Sequence, residues 1–298
     1  RLIDEINRFS KKFKKLIISS FSEKEIEVFF NMYHNGKINF VIEKLVQIYK
    51  KKPDDILLIS LLGTFYGLNK DYDQATSFQK IAIEKAPFES SFYRNLSETL
   101  KNMDKIKDAL STLYFAKILS FNDKSIDYEI AKLNTTLQNY LAADLIYKRL
   151  MTEENINKEI KYSYCYNLIK LNKVNEAILF VEKIQINDNN NDILMSLLGI
   201  AYFKLNKFEL AKIHFLKAIN LNKNNDNAHT NLGKCYLELG LISQAEHSHN
   251  NSLKIKPNNK MALNNLAALN FFKGDINNAE KLYTLSINSN QQNYEAKY

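Results

Sequence analysis

Histidine and cysteine are the residues with which this chain could bind a metal or attack a substrate, and their spacing favours neither. The chain has five histidines and two cysteines. His247 and His249 lie two residues apart and would point to different sides of a helix, whereas a chelating helical pair is spaced by three or four. Cys165 and Cys235 are distant in sequence, with no base placed beside either thiol. We therefore predict structural histidines, no metal, no cofactor and no catalysis within residues 22–293.

Phosphate-binding loops need clustered glycine, but the glycines of this chain recur at a fixed interval. Six of the seven glycines and all three prolines follow a period of 34 residues. A period of this length is typical of stacked supersecondary units, each of which buries its apolar face against its neighbours. The residues that share a phase are Pro53, Pro87 and Pro257; Gly63, Gly199 and Gly233; and Gly36, Gly240 and Gly274.

The composition indicates a folded, mildly basic chain. Apolar residues make up 45% of the 298 residues, and the net charge is +8. Residues 1–21 carry half of that excess, which leaves too little on the remainder for a nucleic-acid surface. The apolar run 56–68 is interrupted by Ser60 and Thr64, and it is shorter than the ~18 residues that a membrane span needs. The sparse cysteines favour a reducing compartment, so we expect a cytoplasmic protein.

The period divides the chain into eight units without insertion or deletion when counting starts at Ser22, and "position" below means the place within a unit. Position 20 is valine in the first unit and alanine in the other seven. Position 8 is small in every unit except the first, where it is Phe29. The expected units are 22–55, 56–89, 90–123, 124–157, 158–191, 192–225, 226–259 and 260–293.

Each unit is predicted to form two amphipathic helices. Positions 4, 7, 8 and 11 share one helical face, and so do positions 20, 24 and 27. Glycine at position 15 allows the turn between the helices because it adopts positive φ without strain. Proline at position 32 ends the second helix. Small residues at positions 8 and 20 let the two helix backbones approach each other.

This pattern resembles the tetratricopeptide repeat family over residues 22–293. The resemblance implies an all-α solenoid: a right-handed superhelix of eight helix-turn-helix repeats, with the first helices lining a concave groove. The sequence departs from the family pattern in lacking tryptophan and in having Asn134 and Asn270 where tyrosine is usual. The motif residues are Leu62, Gly63, Tyr66, Ala75, Ala82 and Pro87 in the second unit, and Leu198, Gly199, Tyr202, Phe208, Ala211, Phe215 and Ala218 in the sixth.

The two ends of the chain do not fit the period. Residues 1–21 place apolar side chains at spacings of four and three opposite a basic face, so we expect an amphipathic helix that caps the first unit. A helix that adsorbs to anionic membrane surfaces is the alternative. Residues 294–298 are expected to begin a truncated ninth repeat or a C-terminal helix, with more chain following.

The resemblance implies that positions 2, 5, 6, 9, 12 and 13 face the groove. The charges at these positions cancel, with six basic and six acidic residues, and a groove for nucleic acid should be decisively positive. We therefore expect no nucleic-acid partner. The basic residues are Arg94, Lys101, Lys132, Lys170, Lys204 and Lys234, and the acidic residues are Glu23, Glu27, Glu98, Glu129, Glu159 and Glu238.

Two peptide-binding devices of the family match only in part. The carboxylate clamp of chaperone-type members needs basic residues in the unit that follows Asn95, but Ser125 and Glu129 stand there. Because these basic residues are absent, the clamp is incomplete, which argues against recognition of an acidic C-terminal tail. The asparagine ladder at position 6, prominent in O-GlcNAc transferase, is represented by Asn95, Asn231 and Asn265. The amides of Asn231 and Asn265 could hold a peptide locally.

An aromatic and basic cluster is the candidate hot spot. Tyr128 and Tyr162 occupy position 5 of adjacent units, and Tyr166 lies one helical turn beyond Tyr162. Arg94 and Lys132 fall on the same expected face, and tyrosine and arginine often dominate interface energies. The alternative is that these tyrosines only pack between helices.

The function that we expect is a non-catalytic protein-interaction scaffold that binds a peptide or a partner helix in its groove. The alternative is the N-terminal substrate-targeting region of a larger transferase, of the O-GlcNAc type or a sulfotransferase, with a catalytic domain beyond residue 298. The candidate groove contacts are Arg94, Asn95, Tyr128, Lys132, Tyr162, Tyr166, Asn231 and Asn265.

Overall fold

The computed structural model describes residues 21–152, 156–185 and 191–288, and these contain sixteen α-helices and no strand. The chain divides into two compact units, residues 1–156 and 157–298. The first unit contains α1 (Glu23–His34), α2 (Ile38–Tyr49), α3 (Ile56–Leu68), α4 (Tyr72–Lys85), α5 (Ser90–Asn102), α6 (Ile106–Leu119), α7 (Lys124–Thr136) and α8 (Tyr140–Leu150). The second unit contains α9 (Lys158–Lys170), α10 (Val174–Gln185), α11 (Asp192–Lys204), α12 (Phe208–Leu221), α13 (Asp226–Glu238), α14 (Ile242–Ile255), α15 (Lys260–Phe272) and α16 (Ile276–Asn288).

The residue at position 15 turns the chain between the two helices of every pair. All eight of these residues have a positive φ, between 57° and 84°. Glycine, as predicted, occupies three of them, and five are side chains that adopt the left-handed region at a cost of about 1–2 kcal/mol. The turn is therefore set by the packing of the pair and not by glycine alone. The eight residues are Gly36, Lys70, Asp104, Gln138, Asn172, Asn206, Gly240 and Gly274.

A side-chain cap starts the first helix of every pair. Ser22 forms a capping box with Glu25 at α1, and the residue at position 34 caps each later first helix by accepting a hydrogen bond from its first turn. Such caps satisfy backbone N–H groups that have no partner within the helix. The capping residues at position 34 are Asp55, Glu89, Asp123, Asn157, Asn191, Asn225 and Asn259.

Small residues bring the helices of a pair into close contact. The alanines at position 20 are at most 2% exposed. A Cβ atom built on Gly199 would lie 2.6 Å from the Phe215 ring, and one on Gly233 would lie 2.4 Å from His249. Position 8 therefore stays small because the large side chain at position 24 occupies that space.

One buried ion cluster joins three helices of the first unit. The Asp127 carboxylate on α7 lies 2.8 Å from Lys117 Nζ on α6 and 2.7 Å from an Arg149 guanidinium nitrogen on α8. The Asp127 side chain is only 8% exposed. A buried carboxylate of this kind is tolerated because two cations neutralise it.

The predicted all-α fold of stacked helix pairs is confirmed. The predictions for the ends fall on residues 1–20 and 289–298, which lie outside the described residues. The repeat boundaries, which were counted from Ser22, remain a prediction.

Candidate functional site

The second unit contains a groove of about 580 Å³ across the first helices of successive repeats. The residues that α11 contributes recur at spacings of three and four and so share one face of the helix. Neighbouring first helices α9 and α13 add residues on either side, and Met261 comes from the start of α15. The residues from α11 are Ile193, Ser196, Leu197, Ile200, Phe203 and Lys204.

All the groove residues on the first helices occupy positions 2, 5, 6, 9, 12 or 13. The floor is apolar, because Leu197 and the Phe215 ring of α12 both line the groove and are buried. Ile193 and Met261 are nearly half exposed at the surface. The groove can therefore bury an apolar group of a ligand while keeping its edges in contact with water.

An asparagine at the start of α11, α13 and α15 ties each of these helices to the preceding repeat. Asn225 Oδ1 accepts from the Ala228 amide at 2.9 Å, while its Nδ2 donates to Asp192 at 2.9 Å and to Ser196 at 3.3 Å. Asn259 repeats the arrangement, capping α15 and donating to Asp226 at 2.9 Å. These bonds fix the spacing of α11, α13 and α15, and so they hold the groove open without a ligand.

Three lysines from three successive first helices line the groove. The Lys170 ammonium lies 5.1 Å from the centre of the Tyr166 ring. Lys204 donates to the Ile169 carbonyl oxygen at 2.9 Å, at the C-terminal end of α9 where a cation is favoured. Lys234 Nζ lies 3.0 Å from the Met261 sulfur. None of the described residues that line this groove is acidic.

Lys234 lies in an environment that disfavours its positive charge. Burial lowers the pKa of its ammonium group, and the positive charge of Lys170 lowers it further. The two ammonium groups therefore lie within electrostatic reach of each other, although α11 separates the helices that carry them. An anion bound between them would act in the opposite direction, because a nearby negative charge favours the charged form of each ammonium group.

Two of the predicted contact residues line this groove, and two lie elsewhere in the second unit. Tyr166 and Asn231 are lining residues. The hydroxyl of Tyr162 accepts a hydrogen bond from Asn191 Nδ2 at 2.8 Å. Asn265 lies in a separate apolar cavity of about 450 Å³ beside Phe272, where its Nδ2 is buried and finds no hydrogen-bond partner among the described residues. The structure does not place Asn231 and Asn265 in one cavity.

The other four predicted contact residues lie in the first unit. Arg94 on α5 forms ion pairs with Glu129 at 2.5 Å and with Asp123 at 3.6 Å. The Lys132 ammonium lies 5.3 Å from the centre of the Tyr128 ring on the same helix. Asn95 is partly buried on α5, where its backbone carbonyl oxygen accepts a hydrogen bond from the Thr99 hydroxyl. The guanidinium of Arg94 thus already has carboxylate partners within its own unit.

Both cysteines and His249 are built into the packing, whereas His247 is exposed. Burial raises the pKa of the Cys165 and Cys235 thiols to about 12, so neither thiolate forms near neutral pH. His249 is fully buried at position 24. In the described ranges no three His, Cys, Asp or Glu side chains are grouped to hold a metal ion. The same ranges contain no helix with the length and apolarity to cross a membrane.

The three groove lysines are not among the contacts that the sequence predicts. Lys170, Lys204 and Lys234 cancel against acidic residues when all eight repeats are summed. The available signal was their position, because they occupy positions 13, 13 and 9 of three consecutive units. Summed per unit over the groove-facing positions, the charge is 0, +1 and 0, because Glu159 and Glu238 offset Lys170 and Lys234, so a charge count alone does not indicate a basic site.

Comparisons with known proteins agree with this fold. A family model for the TPR repeat matches residues 199–240. The crystal structure of a tetratricopeptide repeat protein from Parabacteroides merdae ATCC 43184 matches with a TM-score of 0.71 and 16% identity, over 89% of this chain and 98% of that chain. The APC/C hetero-tetramer Cut9–Hcn1 matches with a TM-score of 0.57 and 13% identity, over 87% of this chain and 53% of that chain. No curated protein matches the sequence. The resemblance to tetratricopeptide repeats is confirmed, and identities this low carry the fold alone.

Proposed function

We propose that this array of tetratricopeptide repeats is a non-catalytic scaffold that binds an extended peptide segment of a protein partner in the groove over α9, α11 and α13. The observation that carries the proposal is the groove itself, which is preformed and lined by both apolar and hydrogen-bonding side chains. Its volume of about 580 Å³ falls within the range of specific ligand sites. Solenoids of stacked helices commonly use such surfaces to bind other proteins.

The dimensions of the groove suit a short extended peptide. Packed helices lie about 8–10 Å apart, so the path from α9 to α13 is about 16–20 Å long. An extended chain rises about 3.3–3.6 Å per residue, so about five or six residues would cross the groove. Asn227 and Asn231 offer amide groups that both donate to and accept from a peptide backbone.

The chemistry of the groove supports binding in preference to catalysis. Tyrosine at an exposed rim supplies contact area with little loss of side-chain freedom, and Tyr166 is 37% exposed there. Neither buried cysteine contributes to the lining, and the pKa of each thiol is raised to about 12. Shape and hydrogen bonding are therefore the properties that the groove offers to a partner.

Selection from a displayed library of random peptides tests the proposal. The double variant Tyr166→Ile/Asn231→Leu replaces each residue by the one at the same position in repeat 192–225, which is Ile200 or Leu197. We expect the parent protein to enrich peptides and the double variant to bind them at least about tenfold more weakly, because an aromatic contact and a backbone hydrogen bond are both lost.

The matched control is Asn220→Leu, an exposed amide on the second helix α12. It should bind the selected peptides as tightly as the parent protein does. The proposal fails if no peptide is enriched, or if the selected peptides bind the double variant and the parent protein equally well. Melting curves from circular dichroism establish that all variants are folded.

A further inference from the structure

The lysines of the groove form a cationic site without an acidic counterpart. Lys170, Lys204 and Lys234 are contributed by α9, α11 and α13, and no ion pair involves any of them within the part of the chain that is described. The neighbouring carboxylate of Asp192 is held by the side-chain amides of Asn222 and Asn225, both at 2.9 Å. It therefore serves the packing of the repeats and does not line the groove.

The groups that the three ammonium ions contact are weak partners. A tyrosine ring, a helix-end carbonyl and a thioether sulfur each solvate a cation only partly. A carboxylate would add a full opposite charge to the hydrogen bond that an ammonium group donates. Burial and the charge of Lys170 already destabilise the charged form of Lys234. The groove thus gains most from a ligand that carries negative charge.

We propose that the groove over α9, α11 and α13 recognises a peptide segment in which acidic side chains stand next to large apolar ones. The acidic side chains bind Lys170, Lys204 and Lys234, and the apolar side chains lie against Leu197, Ile200 and Phe203. This inference rests on the proposed function and specifies the chemistry of the partner. It differs from capture of a free C-terminal carboxylate, because the recognised charges belong to side chains within the segment.

The combination of cationic and apolar lining argues for carboxylates on a peptide instead of one compact anion. The three lysines come from three different helices, and apolar residues of α11 line the same groove. A single phosphate would satisfy one or two ammonium groups and would leave the apolar floor unused. Aspartate or glutamate side chains on an extended segment reach both edges of the groove while an intervening side chain covers the floor.

Two designed peptide libraries test the inference. In the first, every second residue is aspartate or glutamate and the others are apolar; in the second, asparagine or glutamine replaces the acids. We expect the acidic library to yield binders whose affinity falls as salt is added. The triple variant Lys170→Gln/Lys204→Gln/Lys234→Gln should bind them at least about tenfold more weakly, because charge-assisted bonds are lost.

The control variant removes the same charge from lysines of the second unit that do not line the groove. It is Lys183→Gln/Lys207→Gln/Lys217→Gln, in which all three residues are exposed, and it should bind as the parent protein does. Binders that are equally tight from the amide library, or equal losses in the two triple variants, would overturn the acidic specificity while leaving peptide binding intact. Binding of phosphopeptides alone would also overturn it. Failure of both designed libraries, while the random library still yields binders, would likewise overturn the acidic specificity; failure of the random library as well would refute the proposed function.

Discussion

Acid should destabilise the helix pair α13–α14 through the side chain of His249. The imidazole is fully buried, and neither ring nitrogen has a hydrogen-bond partner among the described residues. It packs against Gly233, where no Cβ atom could be accommodated. Burial lowers the pKa of His249 from 6.5 to about 4, and the positive charge of Lys234 adds to this effect. Folding is therefore coupled to keeping this ring neutral.

The pKa values determine the direction and the size of the effect. Because the folded state has the lower pKa, the unfolded chain binds the proton first as the pH falls. Stability is complete above the unfolded pKa of 6.5 and is lost as the pH falls from there toward 4. One pKa unit is worth about 1.4 kcal/mol, so the full titration amounts to about 3 kcal/mol, of which about 2 kcal/mol is lost by pH ~5.

Urea unfolding at about pH 7.5 and at about pH 5, followed by circular dichroism, measures this loss. The variant His249→Phe is the matched control, because the chain already pairs Phe215 with Gly199 at the equivalent positions of repeat 192–225. His214 and His229 also have lowered pKa values, and comparison with the variant subtracts their contribution. We expect the parent protein to lose about 2 kcal/mol more than His249→Phe.

Amide hydrogen exchange then locates the loss. Repeats unfold locally and interact mainly with their neighbours, so the added exchange at low pH should be concentrated in α13 and α14. The reasoning is refuted if the parent protein and His249→Phe lose the same free energy of unfolding between the two pH values. Exchange that rises equally in every repeat would likewise contradict it.

Three further predictions concern packing, turns and charge. Gly199→Ala should lower the free energy of unfolding by about 1–2 kcal/mol, because the new methyl group meets the buried Phe215 ring. Gln138→Gly should raise it by roughly 0.5–1 kcal/mol, because φ is 63° at this residue. Asp127→Asn should lower it by about 3 kcal/mol, because two cations lose their buried carboxylate.

Each of these predictions has its own check in urea unfolding. The loss caused by Gly199→Ala should shrink in a Phe215→Leu background, and an unchanged loss would exclude the clash as its cause. A lower free energy of unfolding in Gln138→Gly would contradict the prediction, because it would mean that the positive φ at residue 138 carries no strain. Asp54→Asn removes an exposed carboxylate that also pairs with a lysine and should change nothing measurable. An equal effect at the two aspartates would contradict the role given to burial.

The fold was predictable because the 34-residue period shows at which positions of each repeat the side chain must be small. The alanines at position 20 and the small residues at position 8 are the contacts that set the spacing of the helices. The left-handed turn was predictable only where it is glycine. At Lys70, Asp104 and Gln138 the packing of the helix pair imposes a positive φ that local preference disfavours.

The candidate site was only partly predictable because it depends on neighbours across repeats. Position identified Tyr166 and Asn231 as groove residues. Sequence could not show that Arg94 is paired with Glu129 in the next repeat, nor that Lys170 and Lys234 influence each other across α11. Such contacts depend on the conformations that long side chains adopt between helices. The spacing of residues along the sequence does not determine these conformations.

Methyl NMR of isoleucine-labelled protein during titration with the tightest selected peptide tests the central claim most directly. Ile193 and Ile200 line the groove, whereas Ile213 and Ile242 are exposed residues of the second unit that do not line it. We expect saturable shifts at Ile193 and Ile200, with Ile213 and Ile242 unchanged. Shifts confined to Ile213 or Ile242 would place the peptide elsewhere and would contradict the account.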